Sequence, residues 1–181
     1  ALVSRLRRAL GADVVATVPG GYRLEIEPAD VDAVRAAQKL TEAGQEADPE
    51  AARELVGQAL ALWRGPALAD VRRLRFAQAA ADRLDEKRAA AVEQAAALDL
   101  RLGRPAAAVE PLTTLLADQP LRESAAGTLA RALHATGRQA DALALLDRTR
   151  RHLADELGVD PGPELARAQA DVLSGAPAPI A

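Results

Sequence analysis

With 181 residues and a formal net charge of -3, the chain is too acidic to present a nucleic-acid footprint over its whole surface. Hydrophobic residues make up 49% of it but aromatics only 2%, which disfavours a sheet-rich core and leaves Leu, Val and Ala to pack as helices. The lack of cysteine excludes disulfides and thiolate metal centres and fits a reducing compartment, here expected to be cytoplasmic, and no apolar run reaches the length of a membrane span.

The charge is unevenly placed. Arg5, Arg7, Arg8 and Arg23 against Asp13 and Glu25 give residues 1–26 a balance of +2, so the remainder carries -5. The opening A-L-V-S-R-L-R-R-A-L puts Leu2, Val3, Leu6 and Leu10 on one helical face and arginines on the rest, with Gly11 as the stop. Two strand-like runs, residues 14–18 and 22–26, then flank Pro19-Gly20-Gly21, a hairpin-turn signal. A helix followed by a hairpin is the closing half of a winged helix, where the helix enters the major groove and the hairpin touches the neighbouring backbone. Three arginines are also what a merely solvated helix face contains; the hairpin directly behind them favours DNA contact. Ser4, Arg5, Arg7, Arg8, Gly21, Tyr22 and Arg23 are the candidate DNA-binding residues. Arg5 and Arg8 share a face and can approach one groove, while Arg7, about 100° round from Arg8, suits a phosphate. Arg23 lies close to the hairpin tip, within reach of a minor groove or a backbone.

Pro28 and Asp30 mark the exit from the hairpin, and Asp30 is the expected N-cap of a helix to about Ala43, with Val31, Val34, Ala37 and Leu40 on one face. Residues 44–49 read as a linker, and Asp48-Pro49-Glu50 as a cap followed by proline in the first turn. The next helix carries Ala52, Leu55, Val56, Ala59, Leu60 and Trp63, and Arg64-Gly65-Pro66 ends it. Trp63, the single tryptophan, is expected to plug the gap between the first helix pair and the helix that follows; the other reading is an exposed anchor for a partner. Residues 71–102 hold no Gly or Pro and predict one long helix, with Phe76, Leu84, Val92, Leu98 and Leu102 as its larger apolar groups. Such a helix would bridge the first hairpin and the segment beyond.

That segment repeats. Gly103-Arg104 recurs as Gly137-Arg138, a period of 34 residues, and the offset aligns Ala108 with Ala142, Val109 with Leu143 and Leu112 with Leu146. Thirty-four is the period of a tetratricopeptide-type unit, two antiparallel helices joined by a short turn. Glycine suits the turn because it takes positive φ without a Cβ penalty. Residues 139–157 predict a further helix with Leu143, Leu146, Leu153 and Leu157 inward, Gly158 as its stop, and a last helix over residues 164–173. Residues 174–181 read as a flexible Pro/Ala-rich tail.

No constellation of catalytic residues, cofactor site or metal site stands out. His134 and His152 fall on different predicted helices, and His134 suits a packed position better than proton transfer. There is no phosphate-cradling glycine loop and no nucleophile elbow.

V-S-R-L-R-R-A-L-G from Val3 and P-G-G-Y-R-L from Pro19 resemble the second half of the winged helix in bacterial activators of the antibiotic-regulatory type. Val31-Asp32-Ala33, A-L-A-L-W-R-G from Ala59, R-L-D-E-K-R from Arg83, P-L-R-E from Pro120 and A-L-H-A-T-G-R-Q-A-D-A-L from Ala132 resemble that family's bacterial transcriptional activator domain. The specific R-R-H-L-A-D-E-L-G-V-D-P-G-P-E-L from Arg150 completes the likeness. The resemblance implies a mainly α protein, a tetratricopeptide-like array over residues 28–173 preceded by recognition helix and wing in residues 1–27. It implies double-stranded DNA as a partner through a complete winged helix, contact with RNA polymerase or a sigma factor, and a possible homodimer. The departures are the lack of the winged helix's earlier strands and helices, the lack of a P-loop, and Val34 where the family often has Phe. The alternative is a repeat-type interaction adaptor that does not bind DNA.

Overall fold

A computed structural model describes residues 2–175. The expected tail over residues 174–181 lies outside this range beyond Gly175. Helix α1 (Leu2–Leu10) is followed by an antiparallel hairpin of β1 (Val15–Val18) and β2 (Gly21–Leu24). A 3₁₀ turn at Pro28–Asp30 leads into α2 (Asp32–Gln45), α3 (Pro49–Leu60), α4 (Arg75–Arg101), α5 (Pro105–Asp118), α6 (Glu123–Ala135), α7 (Gln139–Leu157) and α8 (Pro163–Ser174). Among the described residues, seven α-helices follow the hairpin. Among the described residues no helix is long and apolar enough to cross a membrane.

Alanine at the facing positions brings the helices together. Ala43, Ala52, Val56, Ala91, Ala95 and Leu98 form one core between α2, α3 and α4. A second and larger core joins α4 to α5, α6, α7 and α8. Helix α4 supplies Ala91, Ala95 and Leu98 to the first and Ala89 and Ala96 to the second, so it is the expected bridge. It also carries Asp99, whose buried carboxylate accepts from Arg53 Nε of α3 at 2.8 Å.

The repeat is real in three dimensions. Ala108 and Ala142 are buried, as are Leu112 and Leu146, and Val109 and Leu143 pack against the same core. Both turns are Schellman motifs. Gly103 (φ +69°) donates to Leu100 O and Arg104 to Asp99 O; Gly137 (φ +78°) donates to His134 O and Arg138 to Leu133 O. The last helix is fastened to α6. Glu123, at the start of α6, accepts the Gly162 N–H at the head of α8, and Arg131 binds Asp171 at 3.0 Å.

Five sequence expectations need correction. Asp30 is not an N-cap: it closes the 3₁₀ turn, Val31 precedes α2, and Asp32 Oδ1 takes the Ala33 N–H instead. The long helix starts at Arg75 rather than residue 71. The Ala67 N–H and Arg72 are held by Asp85, and Arg72 also binds Asp82, which keeps residues 65–74 wound as turns across the helix's first turns. Phe76 is 79% exposed, because α4 turns Ala77 and Ala81 inward. On α7, Leu157 is exposed while Leu145 and Thr149 are buried. Trp63 lies beyond the end of α3 and is half-buried. It lines an open cavity of about 760 Å³ with Val31, Ala36, Leu68 and Leu84, so it does not plug a closed core.

Candidate nucleic-acid interface

The short helix α1 is divided by its sequence. At about 100° per residue, Leu2, Val3, Leu6 and Leu10 occupy one side, and Ser4, Arg5 and Arg8 gather on the other. Ser4, Arg5 and Arg8 are all exposed, and neither arginine has an acidic partner among the described residues. Arg7 falls between the two faces and points at the hairpin. Its Nε donates to Val15 O and its Nη2 to Thr17 Oγ1, both at 2.8 Å. The guanidinium assigned to a phosphate from the sequence is therefore occupied inside the protein, where it ties α1 to β1.

The hairpin turns on Pro19-Gly20, with Val18 paired to Gly21, so Gly21 belongs to β2 rather than to the turn. Proline followed by a residue at φ +85° suits a type II turn, and Gly20 meets that requirement. The pairing sets Val15, Thr17, Tyr22 and Leu24 on one side and Ala16, Val18, Gly21 and Arg23 on the other. Arg7 reaches the first side. Arg23 is thus on the opposite side from the α1 clamp, where it is exposed and bound to Glu25 at 2.9 Å through Nε. Tyr22 is exposed on the Thr17 side. The sequence candidates fall into three sets: an open face of Ser4, Arg5 and Arg8, an internal clamp at Arg7, and a hairpin set of Gly21, Tyr22 and Arg23. Leu2, Leu6, Leu10, Leu24 and Ile26 leave an exposed apolar surface on the same unit.

His134 is half-buried on α6, with Nδ1 buried and unpartnered, and His152 is exposed on α7. No group of three His, Cys, Asp or Glu side chains able to hold a metal ion occurs among the described residues. Sequence reasoning missed a groove between α5 and α7, lined among others by Leu116, Leu145, Arg148 and His152. The available signal was the four-residue spacing of Arg148 and His152, which places both on one side of α7.

Comparison with known proteins decides the family. Residues 29–173 match the family described as "Bacterial transcriptional activator domain". The chain belongs to this family. The regulatory protein AfsR of Streptomyces griseus is 43% identical over 94% of this chain and 18% of its own length. The regulatory protein DnrI of Streptomyces peucetius is 38% identical over 91% of this chain and 62% of its own. The solved structure of Mycobacterium tuberculosis EmbR in complex with a low-affinity phosphopeptide superposes with a TM-score of 0.88 at 34% identity. That superposition covers 98% of this chain and 49% of the EmbR chain. The chain therefore spans less than two thirds of the length of each of these relatives. AfsR and DnrI are named regulatory proteins, and the EmbR superposition, at 98% of this chain, takes in the hairpin and most of α1, which the family match itself leaves out.

Proposed function

We propose that this chain is the core of a DNA-binding transcriptional activator, a cytoplasmic regulator and not an enzyme. In this reading α1 is the end of the recognition helix and the hairpin is the wing. The observation that carries it is the exposed Ser4, Arg5 and Arg8 face, free of acidic partners among the described residues and backed by the Arg7 clamp on β1. Arg5 and Arg8 meet the duplex; Arg7 positions the helix; Tyr22 and Arg23 reach the backbone beside it. The exposed apolar side of the same unit takes the remainder of a winged helix. The tetratricopeptide-like body contacts RNA polymerase or a sigma factor, or a second copy of the protein, once α1 is on the promoter.

The test uses the full-length protein. Replacing Arg5 and Arg8 together by Ala should sharply weaken specific promoter retardation at low salt while circular dichroism keeps its helical signal. If the double variant still retards its promoter like the parent, the adaptor reading replaces this one.

A further inference from the structure

We infer that the groove between α5, α6 and α7 binds a short amphipathic helix whose apolar stripe is flanked by carboxylates. The inference goes beyond the DNA contact proposed above and uses no residue before Val109.

The groove has a volume of about 400 Å³. Helices α5 and α7 both pack on α6, and the space between them is backed by the buried Leu129 and Leu133. Along α5, Val109, Thr113 and Leu116 line it at four- and three-residue spacing. Along α7 it runs from Arg138 to His152, a length of about 21 Å at helical rise.

Its floor is Leu129, Leu133 and Leu145, and the two threonines on its walls have little left over to bond. Thr113 Oγ1 donates to Val109 O at 2.7 Å and Thr149 Oγ1 to Leu145 O at 3.1 Å, so both hydroxyls are turned onto their own helices. An extended strand laid here would leave its own N–H and C=O groups facing apolar walls, whereas a helix keeps its backbone bonds internal. That selects a helical occupant.

The charge on the rim selects its chemistry. Asp147 holds both Arg150 and Arg151, and Asp141 holds Arg138 at 2.7 Å. Arg148 is exposed on the groove rim without an acidic partner among the described residues, and His152 stands one turn further along the same edge. One end of the trough therefore carries the unneutralised guanidinium of Arg148. A duplex would want a row of cations and gain nothing from the hydrocarbon between the walls. An acidic amphipathic helix uses both.

The probe is a fluorescein-labelled peptide of about fourteen residues, matching the groove length. It carries leucines at i, i+3, i+4 and i+7 and three flanking glutamates; a second peptide has lysines in place of the glutamates. Anisotropy titrations on the 181-residue chain should show the glutamate peptide binding at least tenfold tighter than the lysine peptide. Arg148→Glu, a change on an exposed side chain, should remove or invert that preference. Ala144→Trp, which fills the groove from its exposed α7 wall, should weaken the glutamate peptide at least tenfold with the melting curve retained. Binding of neither peptide, equal binding of both, or an Arg148→Glu variant that keeps the preference overturns the inference. So does displacement of the peptide by duplex DNA, or concentration-dependent self-association that Ala144→Trp abolishes, which would make a second copy the occupant.

Discussion

Substituting Gly103 and Gly137 by alanine, one at a time, tests whether the two repeats are physically equivalent. Both residues sit at positive φ, +69° and +78°, and a Cβ built on either meets nothing within 4 Å. Packing therefore contributes nothing, and the cost is that of holding an L-residue in the left-handed region, about 1–2 kcal/mol. For a domain of this size each kcal/mol lowers the melting temperature by roughly 2–4 °C, so each variant should melt about 2–8 °C lower. Gly103→Asn should recover part of the loss, because Asn tolerates this conformation better. Gly44→Ala is the control: it lies inside α2 with open space around it and without positive φ, and should stabilise by about 0.5–1 kcal/mol. Calorimetry or urea unfolding reads all four. A clear loss at one turn and none at the other would refute the equivalence, and a loss at Gly44 as large as at the turns would refute the backbone argument.

Other consequences are as direct. Arg53→Ala strands the buried Asp99 carboxylate and should cost about 3–5 kcal/mol, while Arg53→Met with Asp99→Leu should recover most of it in urea unfolding. Hydrogen bonds from Arg122 hold Glu86 below the ordinary carboxylate range, so its stabilisation is present above about pH 4.3 and fades as the pH falls through the depressed value. Glu86→Gln should thus be less stable than the parent at neutral pH, with the gap closing on acidification; a gap independent of pH would contradict this. Trp63→Ala should cost about 2 kcal/mol, less than the 3–5 of a core aromatic, because the indole is only half-buried beside an open cavity.

The parts of the fold that could be read from the sequence are those set by local chemistry. The two Gly-Arg turns, the Asp48 cap that accepts from Glu50 and Ala51 N–H, and the Pro19-Gly20 hairpin each follow from a few adjacent residues. What could not be read depends on distant partners. Residues 71–74 have a helical pattern, yet Asp82 and Asp85 draw the loop beside them out of the helix. Phe76 is one of the helix's larger apolar groups, but α4 packs through alanines there. In the candidate interface, the helix faces of Arg5 and Arg8 follow from periodicity. The engagement of Arg7 does not, since it needs the hairpin to fold back against α1. The α5–α7 groove was equally hidden, because it exists only once both helices stand on α6.

The salt dependence of promoter binding by the full-length protein tests the central claim most directly. Each phosphate contact contributes about -0.9 to the slope of log Kobs against log salt. If Arg5 and Arg8 lie against the duplex, replacing both by Ala should flatten that slope by up to about 2. Arg7→Ala should instead lower affinity with the slope unchanged, since that guanidinium is spent on Val15 and Thr17. An unchanged slope in the double variant, or a flattened slope in Arg7→Ala alone, would contradict the assignment of α1 as the recognition helix.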